Sequence, residues 1–421
     1  MTVLLKLLFL GAVSVSSGAP APAEDDRDTM TMPRNKLFVF PREPVARGSM
    51  RITALGSGMP YTRRAQAAPS WLVQIGTDKG EDTFIFDFGS SAMQNLNAAG
   101  VDWSKVNRIF LTHYHVDHTG DLPGIWGAGM VMGRQLPLNV HGPTGAKTEH
   151  GLNHLCEGLR AFAQWDIDSR RGRVSSKRSD ELACHEFDYS KKNQTVWSDT
   201  ETGVEVLSTP VTHIIDGPVG YRLNWNGLSF AFSGDTNPNT FFVDLAKNAT
   251  VAVHEALVPK EFLSLAMSIP MQDADHIVNH VHTAVHSAGV VLQRATPKLG
   301  VLYHIWLDAH LVPFVMDDLR KTYTGPVAIA DDLMVFELFP DGEIRRRTHL
   351  TVDRPVPTPS RGSDSHGEAA EGEGGDGHAA ANRSEALGMS QWLQDAMIEI
   401  DHDALKTAPP AECPLTPQSD D

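Results

Sequence analysis

From Met50 to about Leu350 the chain alternates short apolar runs with polar, glycine-bearing turns. Arg51-Ile-Thr-Ala-Leu55 predicts a short strand that runs into the turn signal Gly56-Ser-Gly-Met-Pro60. Trp71-Leu-Val-Gln-Ile75 and Thr83-Phe-Ile-Phe-Asp87 predict two more strands, and Asp78-Lys-Gly80 suits a hairpin turn between them. Met93–Ala99 predicts a short helix and Val106–Leu111 a buried strand. Apolar runs return at Val204–Ser208, Gly220–Trp225 and Leu228–Phe232. Helix candidates then alternate with short apolar runs from Phe241 to Leu302. Two successive sets of strands and helices predict two β/α halves, hence an α/β fold. Residues 145–200 are polar, weakly periodic and locally basic (Arg170-Arg-Gly-Arg173), and read as an insertion beside the active site.

The two ends differ from this body. Thr2–Val15 is apolar apart from Lys6 and a few hydroxyls, and Ala21-Pro-Ala23 suits cleavage between small residues. Residues 1–23 therefore read as a signal peptide and 24–49 as a polar lead-in, with a secreted or periplasmic destination. No later segment is long and apolar enough for a membrane span. Residues 50–350 form the expected catalytic domain. Residues 351–385, rich in Pro, Gly, Ser, Glu and His, read as a disordered acidic linker. In the tail, 386–421, Leu387, Trp392, Leu393, Met397 and Ile398 fall at near-helical spacing.

Charge bears on partners. The net charge is −16, but residues 351–421 hold 14 acids against 4 bases, a net −10, which leaves −6 for the body. Neither part offers the basic surface that phosphate-backbone binding normally needs, so a small-molecule substrate is expected and nucleic acid is not. A homo-oligomer is compatible with the sequence. Cys156, Cys184 and Cys413 form no CxxC pair, which argues against a cysteine zinc site. A Cys156–Cys184 disulfide and three unpaired thiols are both open. Asn193, Asn248 and Asn382 begin glycosylation sequons.

The chemistry concentrates at His113-Tyr-His-Val-Asp-His118, directly after an apolar run. A strand-to-loop turn can aim alternate side chains at one point. His113 and His115 can share one metal, while Asp117 and His118 point to a neighbouring one. Imidazole and carboxylate donors suit zinc or a similar divalent ion.

This segment resembles the signature of the metallo-β-lactamase superfamily, and the later motifs of that family follow in order. Thr212-His213, Ser233-Gly-Asp235-Thr236 and Tyr303-His304-Ile305 resemble its third, fourth and fifth motifs, and Asp87 in Phe86-Asp-Phe-Gly89 its first-motif aspartate. The resemblance covers roughly residues 50–340. It implies an αββα sandwich, two β-sheets flanked by helices. It also implies two divalent ions, zinc foremost: one held by His113, His115 and His213, the other by Asp117, His118 and His304, with Asp235 bridging. Two such cations lower the pKa of a shared water and polarise the electrophile. Asp117 is placed to ligate, to orient that water or to take its proton.

Three further stretches resemble the ribonuclease Z-like and arylsulfatase-like branch: Leu55-Gly-Ser-Gly-Met-Pro60, Val253-His-Glu-Ala256 and His282-Thr-Ala284. In that branch a histidine assists the leaving group as general acid, supported by a glutamate, which implies those roles for His282 and Glu255. His280 lies two residues away and competes for the first role. His254, His276 and His286 read as structural or peripheral. A general acid suits an ester with an alkoxide leaving group. The leading expectation is therefore a binuclear hydrolase of a small phosphodiester or sulfate ester. The alternatives are a ribonuclease Z-like RNA 3′-processing endonuclease, a lactonase or β-lactamase-type hydrolase, and an idle binding protein on the same fold.

Overall fold

The computed structural model describes residues 37–61, 63–173 and 178–351. The signal-peptide reading, the first half of the lead-in, the acidic linker, the tail stripe and the sequon at Asn382 lie outside the described residues.

The first half contributes β1 (Phe38–Val39), β2 (Met50–Gly56), β3 (Ser70–Thr77), β4 (Gly80–Phe86), β5 (Arg108–Phe110), β6 (Leu138–Pro143) and β7 (Leu182–Phe187). The second half contributes β8 (Gln194–Asp199), β9 (Val204–Pro210), β10 (Val219–Trp225), β11 (Leu228–Phe232), β12 (Val251–Glu255), β13 (Leu299–Tyr303) and β14 (Val327–Ile329). The chain then returns to the first half through β15 (Met334–Leu338) and β16 (Ile344–His349). One sheet runs β1-β16-β15-β2-β3-β4-β5-β6-β7 and the other β14-β13-β12-β11-β10-β9-β8. The β3–β4 hairpin closes with Thr77 opposite Gly80, whose φ of 105° suits glycine.

Alternation along the strands sorts side chains into three cores. Ile52, Trp71, Val73, Phe84 and Phe86 of one sheet meet Tyr221, Phe230, Phe232, Val253 and Tyr303 of the other. The intervening residues face outwards. Leu55, Leu72 and Ile85 pack under α1 (Ala92–Ala98), α3 (Leu122–Met132) and α4 (Leu152–Arg170), while α2 (Val116–Thr119) is a single turn at the sheet end. Ala231, Ala252 and Leu302 pack under α5 (Thr240–Leu245), α6 (Lys260–Met267), α8 (Val285–Ala295) and α9 (Val312–Leu319), with α7 (Met271–His276) beside α6. The strict period of two gives each sheet two apolar faces, and helices cover the outer ones, which makes the αββα sandwich.

Two boundaries differ from the sequence reading. The lead-in reaches into the fold, because Phe38–Val39 pairs in parallel with β16 and Val45 is buried. Residues 145–200 are not an insertion but part of the scaffold: they supply α4, β7 and β8, the last two being edge strands of the two sheets. Helix α4 buries Leu152, Cys156, Leu159, Ala163 and Ile167 at helical spacing. Its outer face also carries Phe162 and Trp165, which are largely exposed. Apolar residues on both faces blurred the periodicity. Cys156 on α4 is disulfide-bonded to Cys184 on β7.

The turn after β2 is held by one carboxylate. Asp332 accepts hydrogen bonds from Ser57 N (3.0 Å), Ser57 Oγ (2.8 Å), Ala67 N (2.7 Å) and Asn95 Nδ2 (2.8 Å). Ser57 O in turn accepts from His304 N at 2.8 Å. Asp332→Ala leaves buried donors unpaired and is expected to cost about 2–4 kcal/mol of stability, read from urea unfolding.

Candidate metal centre

The site lies where strands of both sheets end. After β4 the chain turns at Asp87, whose φ is 54°. Its buried carboxylate accepts from Thr112 N (2.7 Å), Thr112 Oγ1 (2.8 Å) and His118 Nδ1 (2.7 Å). A left-handed aspartate costs backbone energy and persists because those three donors hold it. Thr112 Oγ1 also lies 3.0 Å from His113 Nδ1. Asp87 and Thr112 thereby engage the Nδ1 atoms of His118 and His113 and leave each Nε2 free to ligate. His213 is set in the same way, with Nδ1 3.0 Å from Val281 O.

The single turn α2 follows at once and aims Asp117 and His118 inwards. Glycine permits the close approach: a side chain at Gly89 would meet Asp117 O at 1.9 Å. Gly234, at φ 60°, lets Asp235 pass under Thr112, whose atoms a Cβ would meet within 3 Å. His304 follows β13 with φ 64°, a second non-glycine residue held in the left-handed region at this site.

These elements bring all seven candidate ligands together in two sets. His113, His115, His213 and Asp235 offer donor atoms within 4.8 Å of one another, as do Asp117, His118, Asp235 and His304. His115 Nδ1 lies 3.0 Å from His113 Nε2 and 3.3 Å from His213 Nε2. His118 Nε2 lies 3.2 Å from Asp235 Oδ1 and 3.4 Å from Asp117 Oδ2, and His304 Nε2 lies 3.3 Å from Asp235 Oδ2. The residues fit a pair of cations on an independent ground. Asp117 Oδ2, His118 Nε2, Asp235 Oδ1 and His304 Nε2 are buried and have no hydrogen-bond partner. Orphaned buried donors of this kind are costly unless an ion satisfies them.

Electrostatics agree. Burial pushes His113 well below the ordinary histidine range and lowers His115 and His213, so these rings are neutral, the form that ligates. Burial would also raise Asp117, but the adjacent imidazoles, His118 foremost, hold it far below the usual carboxylate range. Burial acts downward on His118, yet the carboxylates of Asp235, Asp117 and Asp87 outweigh it and raise its pKa. A site that concentrates carboxylates around a buried imidazole is built to receive positive charge.

Beside the second set lies a dyad. Glu255, at the end of β12 and fully buried, accepts from Thr236 N at 2.6 Å and contacts His282 Nδ1 at 3.0 Å. The His282 ring stacks on His304 (5.1 Å between centroids) and lies 5.0 Å from His213. Burial lowers the His282 pKa, but Glu255 above all reverses this and pushes it up to about 9. The competition with His280 is resolved by geometry: His280 is exposed and stacks on His276. A π-helical turn, Ile277–Val281, separates them.

The sequence reading placed residues 145–200 beside the site but named none of the individual wall residues. Glu149, His150, His154 and Leu155 from the α4 end, with Ile214 to Pro218, line a cavity of about 280 Å³ that opens on His113, His115 and His213. No local pattern marks these residues.

The family model described as the metallo-beta-lactamase superfamily matches residues 63–291. The chain belongs to that superfamily. It is a metal-dependent hydrolase of the metallo-β-lactamase fold, and it is similar to proteins named ribonuclease Z. Ribonuclease Z of Mycobacterium avium is 28% identical over 298 residues, which are 68% of this chain and 96% of that protein. Ribonuclease Z of Mycobacterium marinum is 29% identical over 261 residues, 61% of this chain and 86% of that protein. Among solved structures, the metallo-beta-lactamase fold protein YhfI of Bacillus subtilis superposes with a TM-score of 0.50 at 17% identity, over 69% of this chain and 99% of that one.

These relatives correct the partner expectation. A small-molecule substrate with nucleic acid excluded does not stand beside relatives named for ribonuclease activity. The physical reason is that even the body's net −6 is an average over some 350 residues, whereas a phosphate responds to local charge, and cations in the two donor sets would be the largest charges it meets.

Proposed function

We propose that this member of the superfamily is a binuclear phosphodiesterase that cleaves RNA, with zinc as the resident ion. One observation carries the reading: two donor sets share Asp235, and the His282–Glu255 dyad stands beside the shared carboxylate. The relatives named ribonuclease Z support the substrate class. Imidazole and carboxylate donors support zinc.

When bound, the cations supply a water of lowered pKa and a Lewis acid for the phosphoryl oxygens. The residues supply the rest. His113, His115 and His213 would hold one ion, Asp117, His118 and His304 the other, with Asp235 common to both sets. Asp117 orients the attacking water or accepts its proton. His282, holding its proton against Glu255, gives it to the leaving oxygen as the P–O bond breaks. Glu255 does not touch substrate; it is a positioning residue for His282.

The test is hydrolysis of bis(p-nitrophenyl) phosphate and of a short RNA by protein of measured metal content. Two ions per chain with turnover of both supports the proposal. Two ions with turnover of a cephalosporin alone overturns it. Chelation with EDTA is expected to abolish turnover and to lower Tm by several degrees, since an ion that binds only the folded state stabilises it by mass action. Added zinc is expected to restore both.

Export is part of the proposal. The apolar Thr2–Val15 stretch suggests it, and a disulfide such as Cys156–Cys184 persists in oxidising compartments. Among the described residues no helix is long and apolar enough to cross a membrane.

A further inference from the structure

The cavity beside His115 has a composition unlike a phosphate track. Its apolar wall is formed by Pro143, Leu155, Ile214, Ile215 and Pro218. Ile214 and Ile215 are 60% and 56% exposed, adjacent on one loop directly after the ligand candidate His213. Large apolar side chains held in water at the mouth of an active site are open for a ligand to cover. Outside the ligand candidates His113, His115 and His213, the polar side chains that line it are those of Tyr114, Glu149, His150, His154 and Asp216. Among the described residues that line it there is no Lys or Arg. A second backbone phosphate would therefore meet two carboxylates and no permanent cation, and is disfavoured here. A flat, uncharged, nitrogen-rich ring meets the opposite situation: apolar faces to sandwich it and carboxylate oxygens to accept from its N–H edge. At about 280 Å³ the cavity suits one ring system and not a run of nucleotides.

The side of the scissile bond also follows. His282, the proposed proton donor to the leaving oxygen, does not line the cavity and lies beyond His213 from it. The cavity thus serves the group that stays on the phosphorus.

We infer that this cavity is a nucleobase pocket for the nucleotide that retains the cleaved phosphate, with Ile214 and Ile215 as its apolar clamp and Glu149 and Asp216 selecting bases that carry an exocyclic amino group. The inference rests on the phosphodiesterase reading and deepens it. Hydrolysis joins water oxygen to phosphorus and expels the other nucleoside's oxygen with the proton from His282, so the pocketed nucleotide departs as a phosphomonoester.

The experiment uses p-nitrophenyl esters of adenosine, cytidine and uridine 5′-phosphate and of ribose 5-phosphate. Calorimetric binding of AMP is compared with that of ribose 5-phosphate, on zinc-loaded protein. Adenosine and cytidine esters are expected to show kcat/KM about tenfold above the ribose ester, carried in KM, with uridine between. AMP is expected to bind about tenfold more tightly than ribose 5-phosphate. In the Ile214→Ala/Ile215→Ala variant both ratios should fall towards one, and Glu149→Gln with Asp216→Asn should erase the cytidine-over-uridine preference. Equal kcat/KM for nucleoside and ribose esters, with equal binding of AMP and ribose 5-phosphate, overturns the pocket. A protein that binds AMP preferentially but hydrolyses no phosphodiester keeps the pocket and loses the phosphodiesterase reading, so the two failures are distinguishable.

Discussion

Asp235→Ala is expected to yield a folded protein that retains neither metal ion and whose phosphodiester kcat/KM falls by about 10³-fold or more. Asp235 is the only residue common to both four-donor sets among the described residues, and its two oxygens face different partners. Oδ1 lies 3.2 Å from His118 Nε2, and Oδ2 lies 3.3 Å from His304 Nε2 and 3.9 Å from His213 Nε2. Removing it takes one donor from each set and the negative charge that makes two adjacent dications tolerable. Replacing His113 alone is expected to weaken one ion and spare the other. Elemental analysis after gel filtration reads the stoichiometry, and circular dichroism checks the fold. Retention of two ions by Asp235→Ala would remove it from the bridging position.

The second large effect concerns His282→Ala. This variant is expected to keep two ions but to lose about 10²–10⁴-fold in kcat on RNA, whose leaving oxygen is an alkoxide. On bis(p-nitrophenyl) phosphate the loss should be small, because nitrophenolate departs without a proton. Equal losses on both substrates would deny His282 the role of acid. The pH profile carries the same information. A general acid works below its pKa and fails as pH rises through it. Glu255 pushes His282 up to about 9, and bound cations nearby favour the neutral ring, so the descending limb for RNA should lie below pH 9. Glu255→Gln removes the carboxylate charge and should move that limb to lower pH, while the nitrophenyl profile keeps its alkaline side. A merely structural Glu255 would lower kcat at every pH without moving the limb.

Some of this was legible locally. Strands β2, β3, β4, β10 and β11 were readable because each packs one face against the other sheet and the other under helices, so short, largely apolar runs bounded by turns mark them. Helix α4 was missed because Phe162 and Trp165 decorate its exposed face, and β7 and β8 because edge strands are half-buried and their alternation is weak. The same reason misplaced residues 145–200 as an insertion. The partner expectation failed because it used a sum of charges where the local field at the metal centre was the relevant quantity.

The sequence by itself named the candidate ligands. His113 to His118 lie within six residues, and His213, Asp235 and His304 each follow a strand, so the strand ends of a two-sheet fold converge them almost regardless of detail. Only the tertiary structure decided which imidazole joins Glu255. His280 and His282 are equivalent in spacing, but the π-helical turn ending at Val281 leaves His280 outside and delivers His282 to within 3.0 Å of the carboxylate. It alone also assembled the apolar cavity, because Leu155 and Ile214 stand 59 residues apart in the chain and come to one cavity only where α4 and the loop after β9 lie side by side.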